Sequence, residues 1–363
     1  MNMDKLAKIF HSIAIISGES DLDVVLVELA QLGKELAQAD RCTVWLYDAK
    51  TDENWTLVAQ EVDEIRVPAR SGFIGKAIQS GKTIVIEDAY NDPRFNQEVD
   101  RQTGYHTRTI LTVPFQNTEG AYFGAFQAIN KRPEGTPFTE EDVHLITLAA
   151  TYAGKAIEAK LLQNELLKTQ AEMIEVLGQI GESRSKETSN HVRRVAMYSY
   201  ELAKLAGIPE RESELLRIVS PMHDIGKVAT PDAILLKPGK LTPEEFATMK
   251  EHASIGYEVF RHSERELLKT AAIIAHQHHE RWDGNGYPNQ LKGKEIHMFG
   301  RITAIADVFD ALSSVRVYKT AWPDDDIIAY FTEQGGHQFD PVLTTLFLTN
   351  FEKFAIIRKT YAD

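Results

Sequence analysis

From Lys155 to Leu177 the chain contains no proline and no glycine. Ala159, Leu162, Leu166, Thr169, Met173, Val176 and Ile180 recur at alternating spacings of three and four. That is a heptad seam, with Lys160, Gln163, Glu165, Lys168, Gln170 and Glu172 on the other faces. Such a stretch predicts one unbroken helix. It splits the chain into a first part that mixes helical and strand periods and a second that reads helical throughout. A length of 363 residues independently favours two domains. The expected boundaries are 1–158 for the first domain, 159–182 for a coiled-coil-like linker helix and 183–363 for the second domain. Two copies paired along the seam would make a homodimer; the alternative is an amphipathic helix packed on its own domain.

In the first part, Val25, Leu29, Leu32 and Leu36 give Leu22 to Ala39 a helical period. Cys42 to Leu46, Thr56 to Ala59, Thr83 to Ile86, Thr109 to Phe115 and Tyr122 to Asn130 read as strands, with Gly72 to Gln79 as a short helix. The expected fold class is α+β, an antiparallel sheet flanked by helices. After Gly181 the pattern is helical, broken at Pro231 to Lys240 and Asp283 to Lys294, and Thr242 with Glu245 forms a capping box that opens a helix. The second domain is expected to be an all-α bundle.

A net charge of -13 argues against a protein that coats nucleic acid. The single cysteine, Cys42, permits no internal disulfide and fits a reducing compartment, where it reads as a buried thiol. No apolar run is long enough to cross a membrane, so the expected location is the cytoplasm. The Ser80 to Thr83 stretch mimics the end of a P-loop, but that motif needs glycine where Lys76 stands.

Seven of the twelve histidines lie between His191 and His279. Glu187 and His191 are one helical turn apart; His223 adjoins Asp224; His252 sits on an expected helix; His278 adjoins His279; Asp307 and Asp310 close the series. Imidazoles and carboxylates together suit iron, manganese or zinc. Eight candidate ligands (Glu187, His191, His223, Asp224, His252, His278, His279 and Asp307) exceed what one ion uses. A shared carboxylate, with Asp224 the candidate, would hold two ions about 3.5–4 Å apart for in-line displacement at phosphorus. His262, His276, His297 and His337 lack partners of this kind and read as ordinary histidines.

Two resemblances follow. "SGFIGKAIQSGKTIVIEDAYNDPRF", "TILTVPF" and "GAFQAINK" with the helix after Phe138 resemble GAF domains, which sense small ligands or dimerise. Asn130, Lys131, Phe138 and Asp142 match the pattern of cyclic-nucleotide-binding members, but Val143 replaces its glutamate; the residues therefore either stabilise the fold or serve a different small-molecule ligand. The series His191, His223-Asp224, Asp307 is similar to the HD superfamily of phosphohydrolases. "HDIGK" (223–227), "PDAILLKPGKLTPEEF" (231–246), "MKEHASIG" (249–256), "HHERWDGNGYP" (278–288) and "IADVFDAL" (305–312) resemble its HD-GYP branch.

The HD-GYP resemblance implies metal-dependent hydrolysis of cyclic di-GMP to pGpG, and in some members to GMP, by a hydroxide bridging two ions. It implies two or three divalent ions, iron above all with manganese as an alternative. His191, His223, Asp224 and Asp307 would hold one, Asp224, His252, His278 and His279 another, and Glu187 would help hold a third. Lys227 is the expected phosphate contact beside Asp224. Arg316 and Lys319 match a family stretch in which proline stands where this chain has Val317. Gly286 and Tyr287 are expected at the substrate, Gly286 through close backbone approach, and Asp283 as a turn residue. The competing readings are another cyclic dinucleotide as substrate, and a non-enzymatic dinucleotide-binding protein. The GAF domain is expected to regulate the enzyme.

Overall fold

The computed structural model describes every residue except 1–2, 20, 58–63, 96, 98–99, 102–103, 185–188, 315–319 and 363. Glu187, Arg316 and Lys319 therefore lie outside the described residues. The chain separates into two compact units, 1–166 and 167–363.

The first unit is an antiparallel sheet with helices, as the sequence predicts. Its strands are β1 (Ala39–Asp48), β2 (Glu53–Leu57), β3 (Glu64–Pro68), β4 (Ile84–Ile86), β5 (Ile110–Gln116) and β6 (Tyr122–Lys131), in the order β3-β2-β1-β6-β5-β4. Every neighbouring pair is antiparallel. Helices α1 (Met3–Gly18) and α2 (Leu22–Ala37) precede the sheet and α3 (Gly72–Ser80) interrupts it. The expected first helix ends two residues early because Gln38 turns left-handed, φ 49°, and delivers the chain into β1. Strand β3 has no counterpart in the sequence reading; Glu64 and Arg66 face outward, and pairing with β2 holds the strand.

Three consecutive residues of β1 (Val44, Trp45 and Leu46) are buried because both sheet faces are covered. Val44 and Leu46 join Leu29, Leu36 and Leu145 on one face, and Trp45 joins Ile74 and Ile78 of α3 on the other. Cys42 packs against the first of these cores, and burial lifts its thiol pKa to about 12, so it is inert. Ser80 to Thr83 sits at the C-terminal end of α3, where Gly81 caps in left-handed conformation. A phosphate loop needs a helix N-terminus at that place.

Helix α4 (Glu140–Ser183) is continuous over 44 residues. It absorbs both the end of the first domain and the linker. In the second unit follow α5 (Ser189–Leu205), α6 (Glu210–Val219), two 3-10 turns (Ser220–Met222 and Ile225–Ala229), α7 (Asp232–Leu235), α8 (Pro243–Phe260), α9 (Glu266–Gln277), α10 (Met298–Ser313), α11 (Asp324–Gln334), α12 (Pro341–Thr349) and α13 (Phe351–Thr360). The capping box opens α8 as expected: Thr242 accepts from the Glu245 amide, and the Glu245 side chain accepts from the Thr242 amide. One aromatic and aliphatic core, including Tyr198, Phe309, Phe331, Phe347 and Phe354, holds these helices together. None of the described helices is long and apolar enough to cross a membrane.

Candidate metal centre

The site is built where α5, α8, α9 and α10 approach the two 3-10 turns. Asp224 lies between those turns, His191 on the first turns of α5, His252 on α8, His278 and His279 at the end of α9, and Asp307 on α10. Ligating atoms of Asp224, His252, His278 and His279 all fall within 4.8 Å of one another. A second group unites His191 and His223 with Glu182 on the same criterion. Asp307 adjoins the second group, its Oδ1 4.0 Å from His191 Nε2 and 3.8 Å from His223 Nε2.

Ring orientation decides what these histidines offer. Nδ1 of His223 lies 2.9 Å from the Ser220 carbonyl, that of His252 2.6 Å from Met249 O, and that of His278 3.1 Å from both Ile274 O and Ala275 O. A carbonyl only accepts, so each Nδ1 carries the hydrogen and donates it. His191 is held likewise, Nδ1 2.8 Å from Asp310 Oδ2. Every Nε2 is thereby left pointing inward. Those of His223, His252 and His278 are buried without a hydrogen-bond partner, as is Asp224 Oδ1. They nevertheless crowd together: His252 Nε2 is 3.1 Å and His278 Nε2 3.6 Å from Asp224 Oδ1, and His223 Nε2 is 3.2 Å from Asp224 Oδ2. Lone pairs aimed at one another at this range repel unless a proton or a cation lies among them. The donor set fits a divalent ion, with backbone carbonyls and Asp310 fixing the ring orientation from behind.

The electrostatics agree. Burial, followed by the neighbouring imidazoles, pushes the His279 pKa well down, and burial lowers that of His278; both rings are neutral and ready to ligate. At His223 and His191 burial also opposes charge, but at His223 Asp224 and Asp307 win, lifting it to about 10, and at His191 the Asp310 contact wins. Without a cation, protons gather on that side of the site. Asp224 is buried, yet the charges of Lys227 and His223 hold its carboxyl well below the usual range.

Lys227 Nζ is 2.5 Å from Asp224 Oδ2 and 3.5 Å from Glu182 Oε1. Tyr287 covers the histidines: its ring centroid lies 4.7 Å from His279 and 6.3 Å from His252. Burial raises its phenol pKa, so it keeps its hydroxyl proton. Gly286 departs from the expectation. It is buried, and a Cβ there would sit 2.4 Å from the Arg281 amide nitrogen and 2.6 Å from Glu280 Cα. The close approach glycine permits is therefore to the chain itself, and it sets the loop that carries Tyr287. Glycine 284 is the left-handed one, φ 84°. Asp283 is a turn residue, accepting from the Asn285 amide and pairing with Arg281.

Three participants escaped the sequence reading. Glu280 is 3% exposed and accepts from the amides of Asn289 and Leu291, pinning the loop after Tyr287. Arg194 grips Asp310 with Nε to Oδ1 at 2.6 Å and Nη2 to Oδ2 at 3.0 Å. Glu182, 1% exposed, lies in the last turn of α4; its sequence signal is the neighbouring Gly178 and Gly181, which mark close packing. His276 stacks on Tyr257, His297 caps α10, and His262 and His337 are exposed, as expected of histidines outside the site.

In the first unit the partial nucleotide pattern serves the fold. Lys131 Nζ binds Asp142 Oδ1 at 2.6 Å with both side chains buried, and Asp142 also accepts from the Thr139 amide at 2.8 Å. Asn130, at φ 57°, accepts from the Arg108 amide and donates to His106 O. A cleft of about 520 Å³ opens beside it, lined by Asp40, Tyr105, Arg108, Arg132 and Glu134 among others; Arg132 pairs with Asp40 and Arg108 with Glu134.

Comparison with known proteins adds the following. A family profile described as HD domain matches residues 175–343, and one described as GAF domain matches residues 21–157. A probable cyclic di-GMP phosphodiesterase of Vibrio cholerae is 38% identical over 360 residues, covering 89% of this chain and 81% of that protein. From the same organism, 3'3'-cGAMP-specific phosphodiesterase 2 is 44% identical over 225 residues, 62% of this chain and 43% of that protein. A cyclic di-GMP phosphodiesterase is 45% identical over 214 residues, 55% of this chain and 44% of that protein. The aligned part of this chain thus spans less than half the length of the latter two relatives.

Proposed function

Because the chain belongs to the HD-GYP family of HD-domain proteins, with a GAF domain ahead of the HD domain, we propose that it is a metal-dependent phosphodiesterase that opens cyclic di-GMP to pGpG. The observation that carries this reading is the convergence on Asp224 of buried Nε2 atoms without hydrogen-bond partners. Asp224, His252, His278 and His279 would hold one ion, and His191, His223, Asp224 and Asp307 another; iron suits the set, with manganese as alternative. Bound there, divalent ions supply Lewis-acid activation of water and neutralise phosphate oxygens. The protein's own contribution is the Lys227 ammonium, which donates to a phosphoryl oxygen, and the Tyr287 hydroxyl above the histidines. Arg316 and Lys319 are proposed as further phosphate contacts, and Glu187 as a ligand of a third ion.

A second substrate reading has specific support in the 44% identity to the 3'3'-cGAMP-specific enzyme. Chromatography of the products formed anaerobically by iron- or manganese-loaded protein from cyclic di-GMP and from 3'3'-cGAMP, side by side, ranks the two. Absence of a linear product from either sinks the activity. Replacing His223 and Asp224 together by alanine should abolish turnover and lower bound metal.

Regulation by the GAF domain and dimerisation complete the proposal. Support for the dimer comes from the seam of α4, where Leu162, Leu166, Met173 and Ile180 are 63%, 57%, 61% and 53% exposed. A parallel pair of such helices would bury them. Sedimentation of a Leu166→Lys, Met173→Lys variant should give monomer. A reducing compartment such as the cytoplasm is proposed on the lone thiol of Cys42.

A further inference from the structure

Asp224 and Lys227 belong to a short irregular segment, 220–232, that the end of α4 holds at several points. Gly178 and Gly181 present bare backbone to it: a Cβ at 178 would come within 2.7 Å of the Pro221 carbonyl oxygen, and one at 181 within 3.3 Å of Ile225 Cα. One residue further on, Glu182 meets the Lys227 ammonium at 3.5 Å. Arg184 then reaches across the segment. Its Nη1 donates to the carbonyls of Lys227, at 3.4 Å, and Val228, and its Nη2 to Thr230 O at 2.9 Å and Asp232 Oδ1 at 2.6 Å.

An ammonium has three protons. Asp224 Oδ2, 2.5 Å from the Lys227 ammonium, engages one of them, and the buried Glu182 carboxylate holds the charge by ion pairing at 3.5 Å. A lysine stem otherwise has wide rotamer freedom, and fixing it before the substrate arrives is what makes such a charge effective at phosphorus. We propose that Glu182 and Arg184 are positioning residues for phosphodiester cleavage: Glu182 holds the Lys227 ammonium in line with the phosphate, and Arg184 holds the backbone of 227–230 on which that lysine rides. The proposal rests on the function proposed above.

The test uses full-length, metal-loaded protein carrying Glu182→Gln, Arg184→Met, Arg184→Lys, Lys227→Met, or Glu182→Gln together with Lys227→Met. Metal per chain, kcat and KM are measured on cyclic di-GMP and on bis(p-nitrophenyl) phosphate, a diester with no bases to recognise. Glu182→Gln should keep its metal, lose on the order of 10- to 100-fold in kcat, and cost nothing further once Lys227 is methionine. Additive effects of the two substitutions overturn the proposal, as does loss of metal from Glu182→Gln, which would make Glu182 a ligand. Arg184→Met should speed amide hydrogen exchange over 226–232 and lower kcat, with part of each restored by Arg184→Lys; unchanged exchange overturns its role independently of any substrate. If the wild type cleaves the small diester but neither cyclic dinucleotide, the substrate reading fails while the mutant cycle still decides this one. If it cleaves neither diester, both fall.

Discussion

Replacing Asp310 by asparagine keeps the shape of the side chain and removes its charge. In the folded protein that charge is 1% exposed and serves two partners: the Nδ1–H of His191 at 2.8 Å and the guanidinium of Arg194 at 2.6 and 3.0 Å. Arg194 is itself 2% exposed. Removing one member of a buried pair strands the other, at a cost of about 3–5 kcal/mol. Arg194 keeps its bond to the Tyr361 carbonyl at 3.0 Å, which places the expected loss near the lower end, about 3 kcal/mol. Against a typical domain stability of about 5–15 kcal/mol this is large but survivable. The second consequence is on metal. An outer partner that orients a ligating imidazole is worth about 10–100-fold in affinity. Amide exchange of Ser189–Leu205 and Met298–Ser313 in metal-free protein reads the first quantity without assuming that two units unfold together; competition with a chelator reads the second.

The pH dependence has a definite sign. Burial works against ionised Asp310, but His191 and Arg194 outweigh it and lower its carboxyl. Its contribution is then complete above the ordinary carboxylate value of about 3.9 and is lost as pH falls through the lower, folded value. The asparagine variant should lose that acid sensitivity. A stability loss under about 1 kcal/mol, on the scale of an exposed pair, together with unchanged metal affinity, would refute the account of Asp310.

The remaining predictions concern separate parts of the molecule. In metal-free protein the His223 imidazole, raised to about 10 from 6.5 chiefly by Asp224 against its burial, stabilises the fold below about 6.5 and ceases to as pH rises through about 10; metal must displace that proton, so chelator competition should show affinity increasing between those values, and a flat profile would refute it. Gly286→Ala, whose Cβ would meet the Arg281 amide nitrogen at 2.4 Å, should displace Tyr287 and lower kcat/KM with bound metal unchanged. Lys131→Met leaves Asp142 buried without its cation and should destabilise the first unit by about 3 kcal/mol, read by exchange of β1 and β6 amides, with no change in metal content.

Much of this protein is local, and local features are legible in order of sequence. The heptad period of 159–180 requires a helix because no other backbone repeats near 3.5, and the Thr242 to Glu245 box starts α8 through bonds that span three residues. The metal-ligand residue types are equally visible, since imidazole and carboxylate chemistry belongs to the side chain wherever it lies. What sequence could not order is everything set by contacts between distant segments. Strand β3 exists because β2 offers it hydrogen bonds, although its own pattern is short and charged. Gly286 looked like room for a ligand and proved to be room for the chain's own backbone. Asp310 stands in sequence as the residue that closes the ligand series with Asp307, but its worth comes from Arg194, 116 residues away. Glu182 carries no motif at all: a glutamate at the end of a polar helix becomes part of the centre because two glycines let that helix lie on the segment bearing Asp224 and Lys227. Sequence alone determined the kinds of ligand and their order; the tertiary fold decided which atoms face inward, because burial and hydrogen bonding fix each ring and carboxylate only once the helices have met.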